Sequence, residues 1–164
     1  MNEKMIVLGI DAGTTRVGFA IIQNLSNINK INLLEYGLFP VKSNIHQTRI
    51  KQIYQYTKKL IKKYNPNAVV IERMYYYLNK KTAFEVSQAV GVITLACCQL
   101  NTPLFLINPT QVKKIITNKG NANKKQIQEQ IKDIFKNQLK SSKNLIDDIT
   151  DAIAIALSYI KINQ

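Results

Sequence analysis

The sequence predicts an α/β fold in a single domain over residues 1–164: a mixed five-stranded sheet, three strands antiparallel and the later ones parallel, with helices on both faces. Three observations predict it. Continuous apolar runs at Met5–Ile10 and Ala68–Ile71 have the pattern of strands covered on both sides. The first three strand-like segments are joined only by short turns, as in an antiparallel meander. From residue 46 onward, helical periodicity alternates with short strands, and crossover helices around the fourth strand require parallel pairing there.

Taken in order, Met5–Ile10 is the first strand and Asp11–Gly18 (DAGTTRVG) a turn that leads into a second strand, Val17–Gln23. A turn at 26–30 precedes a third strand, Ile31–Phe39. Ile50, Ile53, Thr57, Leu60, Ile61 and Tyr64 recur at helical spacing, with lysines between them, which predicts a helix over His46–Tyr64. Asn65-Pro66-Asn67 stops it. After the strand Ala68–Ile71 come a helix over Thr82–Leu100, a strand Pro103–Ile107 and a short helix Thr110–Thr117. Lys119–Asn123 is a polar break, and helices over Lys124–Phe135 and Asp148–Ile160 flank a basic loop carrying Lys136, Lys140 and Lys143.

Charge narrows the function. Twenty-three Lys and Arg stand against 10 acids, a net charge of +13 and a pI near 9.8. Such a surplus attracts polyanions and makes their binding salt-dependent. No stretch approaches the ~20 apolar residues of a membrane span, and the start lacks a leader's cleavage site, which favours the cytosol and no membrane association. Cys97 and Cys98 are neighbours on a helix, point ~100° apart and are read as reduced core residues. The lone His46 in a polar segment is read as a surface residue, since one histidine makes no zinc site with these cysteines.

The acids carry the chemistry. Asp11 and Glu72 each end a buried apolar strand. A carboxylate there must be solvated, paired or metal-bound, because burying it bare costs several kcal/mol. Asp148 and Asp151 are three apart on the last helix and share the face continued by Ala152 and Ile155. Asp147 is assigned the bland role of complementing the helix dipole. If the first and fourth strands are neighbours, all four acids reach one spot and repel unless cations intervene. Hard divalent cations with oxygen ligands resolve the conflict: two Mg²⁺ per site, with Mn²⁺ as substitute, suited to phosphodiester cleavage.

These segments resemble the RuvC family of Holliday-junction resolvases. Leu8-Gly9-Ile10-Asp11-Ala12-Gly13, continuing to Gly18, is similar to its first motif, Val70-Ile71-Glu72 to its second, and Asp148-Ile149-Thr150-Asp151-Ala152-Ile153-Ala154-Ile155-Ala156 to its last. The resemblance covers essentially the whole chain and implies a ribonuclease-H-like nuclease, a homodimer, and paired symmetric nicks in four-way DNA junctions. Its catalytic and metal-binding acids map onto Asp11, Glu72, Asp148 and Asp151. Its junction-contacting aromatic maps onto Tyr75, with Tyr76 and Tyr77 alongside. Lys113 and Lys124 resemble its lysines near the scissile phosphate, Lys124 as a catalytic group, with Lys125 a further DNA contact. Gln88-Ala89 and Gly91 resemble the helix at its dimer interface, and a branch-migration helicase complex is an implied partner. Ala12 replaces the family's usual proline, and Ser87 and Val90 break its Gly-Gln-Ala-Arg-Gly pattern, as in a divergent member.

Two other classes compete. Asp11–Thr15 also resembles the phosphate loop of actin-like ATPases and sugar kinases, but those need a second such domain, and the chain has neither the length nor the repeat. A non-catalytic basic nucleic-acid-binding module would not retain four acids that weaken phosphate binding. A nuclease of the same fold acting on other branched DNA or on RNA–DNA hybrids stays open.

Overall fold

The computed structural model describes residues 4–25, 30–73, 80–139 and 146–164, without the side chains of 80–82. Five strands, β1 (Lys4–Asp11), β2 (Gly18–Leu25), β3 (Lys30–Leu38), β4 (Ala68–Glu72) and β5 (Leu104–Ile107), form one sheet in the order β3-β2-β1-β4-β5. The β1–β2 and β2–β3 pairs are antiparallel, and β1–β4 and β4–β5 are parallel. Five helices complete the fold: α1 (His46–Tyr64), α2 (Lys80–Gln99), α3 (Pro109–Thr117), α4 (Lys124–Ile134) and α5 (Asp147–Ile162). The predicted mixed sheet is present, with element ends shifted by one or two residues.

The alternation of each strand sends its side chains into two separate cores. Leu8, Ile10, Phe19, Ile21, Val69 and Ile71 pack with Ile53, Leu60 and Ile61 of α1 and with Ala89, Ile93 and Cys97 of α2. Val7, Ala20, Ile22 and Val70 pack on the other side against α3, α4 and α5. Helix α1 ends where the Asn-Pro-Asn signal predicts: Asn65 takes the left-handed conformation (φ 43°) and its N–H bonds the carbonyl of Ile61. Lys63 Nζ, 2.6 Å from Glu35 Oε2, ties that end to β3.

Helix α5 is apolar nearly all round, with Ala152, Ile153, Ala154, Ile155, Ala156 and Leu157 buried, because it lies flat across the sheet. It gets that close through Gly9. A Cβ there would collide with the carbonyl of Ala152 and stand 2.8 Å from the Cβ of Ala156. The alanine-rich face and the glycine together let helix and strand touch backbone to backbone. No helix among the described residues is long and apolar enough to cross a membrane.

One side-chain expectation needs correction. Cys97 is buried, but Cys98 is exposed, because the ~100° step that separates them turns the second away from the core. His46 lies at the surface at the start of α1, partly covered by α2, with Nε2 2.5 Å from Gln88 Oε1.

Candidate active site

Parallel pairing of β1 with β4 sets Ile10 against Ile71, which makes Asp11 and Glu72 the next residues in register, at the C-terminal ends of adjacent strands. Both follow the alternation Val7, Gly9, Asp11 and Ala68, Val70, Glu72, so they point to the α5 side of the sheet. A carboxylate pair at this edge is what two buried strands ending in acids dictate.

The start of α5 is brought over Asp11 by a second close approach. Gly18, the partner of Asp11 on β2, has the Asp148 carbonyl directly above its Cα, where any Cβ would strike it. Asp148 and Asp151, three residues apart, therefore face the strand ends. Asp147 lies on the first turn of α5, directly after the N-cap Ile146, and accepts a hydrogen bond from Gln128 Nε2 at 2.5 Å.

Two cations reach this cluster from elsewhere in the chain. Helix α4 begins with a reciprocal cap, Asn123 Oδ1 accepting from the Gln126 N–H and Gln126 Oε1 from the Asn123 N–H, each at 2.9 Å. That cap places Lys124 in the first turn, with Nζ 3.1 Å from Asp151 and 3.4 Å from Asp147. In the β1–β2 turn, Arg16 ion-pairs with Asp148. Sequence reasoning does not single out Arg16, because one arginine among twenty-three cations carries no signal of its own. Its place in the turn directly after Asp11 is the one available clue.

The electrostatics are those of a crowded acid cluster. Burial, and then the charges of Asp151, Asp148 and Glu72, push the Asp11 carboxyl up to about 7. Burial followed by Asp151 raises Glu72, against the opposing pull of Lys113 and Lys124. Asp151 is also raised, chiefly by burial, which outweighs its hydrogen bond to Lys124. Burial opposes the charge on Lys124, yet Asp151 and Asp147 carry its pKa upward overall. A cleft of about 260 Å³ opens beside these groups, with Glu72, Asp151, Lys113 and Lys124 around an apolar floor of Val112, Ile127 and Ile155.

Acid oxygens that hold one another's pKa up match the demand of a hard divalent cation, which neutralises several carboxylates at once. As the side chains lie, no three of them among the described residues are grouped to hold one ion. Asp148 is turned toward Arg16 and Asp151 toward Lys124. The backbone positions converge; two of the carboxylates are occupied by the protein's own cations.

The other predicted residues divide. Lys113 stands on the cleft wall within electrostatic range of Glu72. Lys125 follows Lys124 on the exposed side of α4. Tyr75 and Tyr76, with Tyr77, lie outside the described residues, as do Lys140 and Lys143. Gln88 and Gly91 are exposed on α2, whereas Ala89 is buried beneath it.

The family model described as "Crossover junction endodeoxyribonuclease RuvC" matches residues 7–159. A protein of that name from Finegoldia magna is 38% identical over 158 residues, covering 95% of this chain and 93% of its own length. The Brachyspira hyodysenteriae protein of that name is also 38% identical, over 161 residues, covering 98% of this chain and 96% of its own. The fold superposes on the Thermus thermophilus RuvC structure with a TM-score of 0.83 at 26% identity, covering 97% of each chain. Sequence and architecture agree from β1 to α5, so this chain belongs to the RuvC family of crossover junction endodeoxyribonucleases.

Proposed function

We propose that this chain makes paired symmetric nicks in four-way DNA junctions by metal-assisted phosphodiester hydrolysis, with Asp11, Glu72, Asp148 and Asp151 as the metal-holding acids. The observation that carries the assignment of the site is the register: Asp11 and Glu72 end adjacent parallel strands on one face, and the two Gly contacts bring Asp148 and Asp151 over that face. Divalent metal dependence is general to the family. Two Mg²⁺ ions, with Mn²⁺ able to replace them, would supply a polarised water and neutralise the charge that grows on the leaving 3′ oxygen.

The chain's own groups do the rest. Lys124, close above Asp151, offers a positive charge to the scissile phosphate, and Lys113 offers another from the facing wall of the cleft. Lys125 extends the basic rim toward the flanking backbone. Tyr75 or Tyr76, three or four residues beyond Glu72, is assigned to stack on an unpaired base at the junction centre, worth about 1–3 kcal/mol. A structure of T. thermophilus RuvC in complex with Holliday junction substrate, with the same TM-score of 0.83, supports this choice of DNA.

Paired nicks need two sites, and α2 supplies a surface for a second copy. Phe84 (64% exposed), Gln88, Gly91 and Leu95 (49% exposed) follow one another along its outer face, and nothing lies within 4 Å of a Cβ built on Gly91. An apolar helix stripe with a glycine at its middle supports a homodimer through α2. A branch-migration helicase complex as a further partner rests on the family resemblance alone.

The test is cleavage of labelled four-way junction, plain duplex and RNA–DNA hybrid, with and without Mg²⁺. Paired nicks confined to the junction, lost in Asp11→Asn with junction binding kept, are the expected result. Junction binding without cleavage under any divalent metal would overturn the assignment of the site. Cleavage of the hybrid in preference to the junction would overturn the substrate.

A further inference from the structure

Arg16 and Asp148 are each held by a separate close contact. The β1–β2 turn is folded so tightly that a Cβ at Gly13 would collide with the Arg16 carbonyl, which fixes the backbone of Arg16 against the residue two beyond Asp11. Two residues later, Gly18 packs under the Asp148 carbonyl and fixes the start of α5. The meeting of the Arg16 guanidinium with Asp148 thus starts from two backbones that close packing brings together. Asp148 Oδ2 is shut off from solvent and meets the Arg16 guanidinium as its ion-pair partner. The Arg16 side chain itself is 57% exposed, at the edge of the acid cluster.

A carboxylate oxygen held by an ion pair to a half-exposed side chain is one that a better-coordinating cation takes readily. A guanidinium released from it, fixed at its backbone and open to solvent, suits a phosphate, which it binds through a planar fork. We propose that Arg16 is an exchangeable counter-ion: it holds Asp148 in the metal-free protein, yields it to the divalent ion, and then serves the DNA backbone beside the cleaved strand. This rests on the reading of the four acids as the metal site. Arg16 is in this sense a positioning residue, linking metal loading to the grip on DNA. Lys124, tied to Asp151 on the other side of the cluster, belongs to the reacting region itself and is not part of this exchange.

Mn²⁺ binding without DNA, followed through the loss of the free-ion resonance signal, tests the first half. Wild type binds Mn²⁺; Arg16→Gln binds it roughly two- to fivefold more tightly, as expected for removal of a partly exposed competing ion pair. Arg16→Lys, which keeps the charge but not the fork, falls between them. Lys51→Gln removes an exposed charge from α1, on the other side of the sheet from the acids, and serves as the control for diffuse electrostatics. Equal tightening in Lys51→Gln, or none in Arg16→Gln, overturns the proposal and leaves the metal-site reading standing. Absence of Mn²⁺ binding in wild type overturns both. The second half is read from junction affinity: Arg16→Gln weakens binding more in Ca²⁺, where the guanidinium is free, than in EDTA, where Asp148 holds it. Equal weakening in the two conditions means that no exchange occurs.

Discussion

Gly18 lies directly beneath the backbone carbonyl of Asp148, and the same glycine is the cross-strand partner of Asp11. One residue without a side chain thus sets the height of the last helix over the strand that ends in Asp11. Gly18→Ala must push α5 away, because the colliding atom is backbone and cannot rotate aside. Overpacking of this kind costs about 1–3 kcal/mol or more, and the displaced helix carries two of the four acids. The expected outcome is a lower Tm together with loss of cleavage that added Mg²⁺ does not restore. Wild-type cleavage in a Gly18→Ala protein of reduced Tm would show that α5 does not need this height.

Asp11 gives the protein a pH dependence in the absence of metal. Its folded pKa of about 7 stands above the ordinary value of 3.8, so the folded protein holds a proton that the unfolded chain has released. The stability contributed by this protonated carboxyl is full below pH ~4 and is lost as pH rises through ~7. Melting in EDTA should therefore fall for wild type relative to Asp11→Asn between pH 5 and 8, by up to a few kcal/mol. Mg²⁺ should reverse the order at pH 8, since the ion needs the charged acid. A wild-type minus Asp11→Asn difference that stays flat across this range would count against the buried, repelled carboxyl.

Lys124 is expected to act in turnover more than in DNA affinity. It is held by Asp151 and Asp147 at the mouth of the cleft, on a helix start fixed by the Asn123–Gln126 cap. Lys124→Gln should lower kcat by about 10- to 100-fold, the scale for losing one cation beside developing charge, with a smaller change in KM. Asn123→Ala, which frees the cap, should cost about 1 kcal/mol of stability and reproduce part of that loss through misplacement of Lys124. Single-turnover rates on a four-way junction distinguish the two effects.

The adjacent cysteines offer a check on the packing of α2. Burial, reinforced by its neighbour Cys98, pushes the Cys97 thiol up to about 11, and Cys97 is shielded while Cys98 is exposed. A thiol reagent at pH 7.5 should label Cys98 quickly and Cys97 only after unfolding. Mass analysis of the labelled peptide reads the ratio directly; equal labelling of both in the native protein would contradict the register of the helix.

Much of this architecture is legible in the sequence alone. Helix α1 starts and stops at His46 and Tyr64 as the spacing of Ile53, Thr57, Leu60 and Ile61 predicts, because an amphipathic period and an Asn-Pro stop are both local signals. Asp11 and Glu72 are visible because an acid ending a buried strand is anomalous in itself. The pairing of β1 with β4, which makes them neighbours, is only a condition in the sequence, since contact between segments far apart along the chain leaves no local mark. Arg16 stays hidden for the same reason: its partner is created by the docking of α5. Cys98 is misplaced by sequence reasoning because a helical run that is apolar overall says little about which of two successive residues faces outward.

The flat docking of α5 also decides when the acid cluster is complete. Asp11 precedes Asp148 and Asp151 by most of the 164-residue sequence, so it leaves the ribosome long before them. A growing chain carries only half of the cluster until residues 147–162 emerge and settle over Gly9 and Gly18. On the proposed assignment of the four acids, a chain broken before the last helix keeps nearly all of its Lys and Arg, lacks two of the groups that would hold the metal, and should not cut DNA.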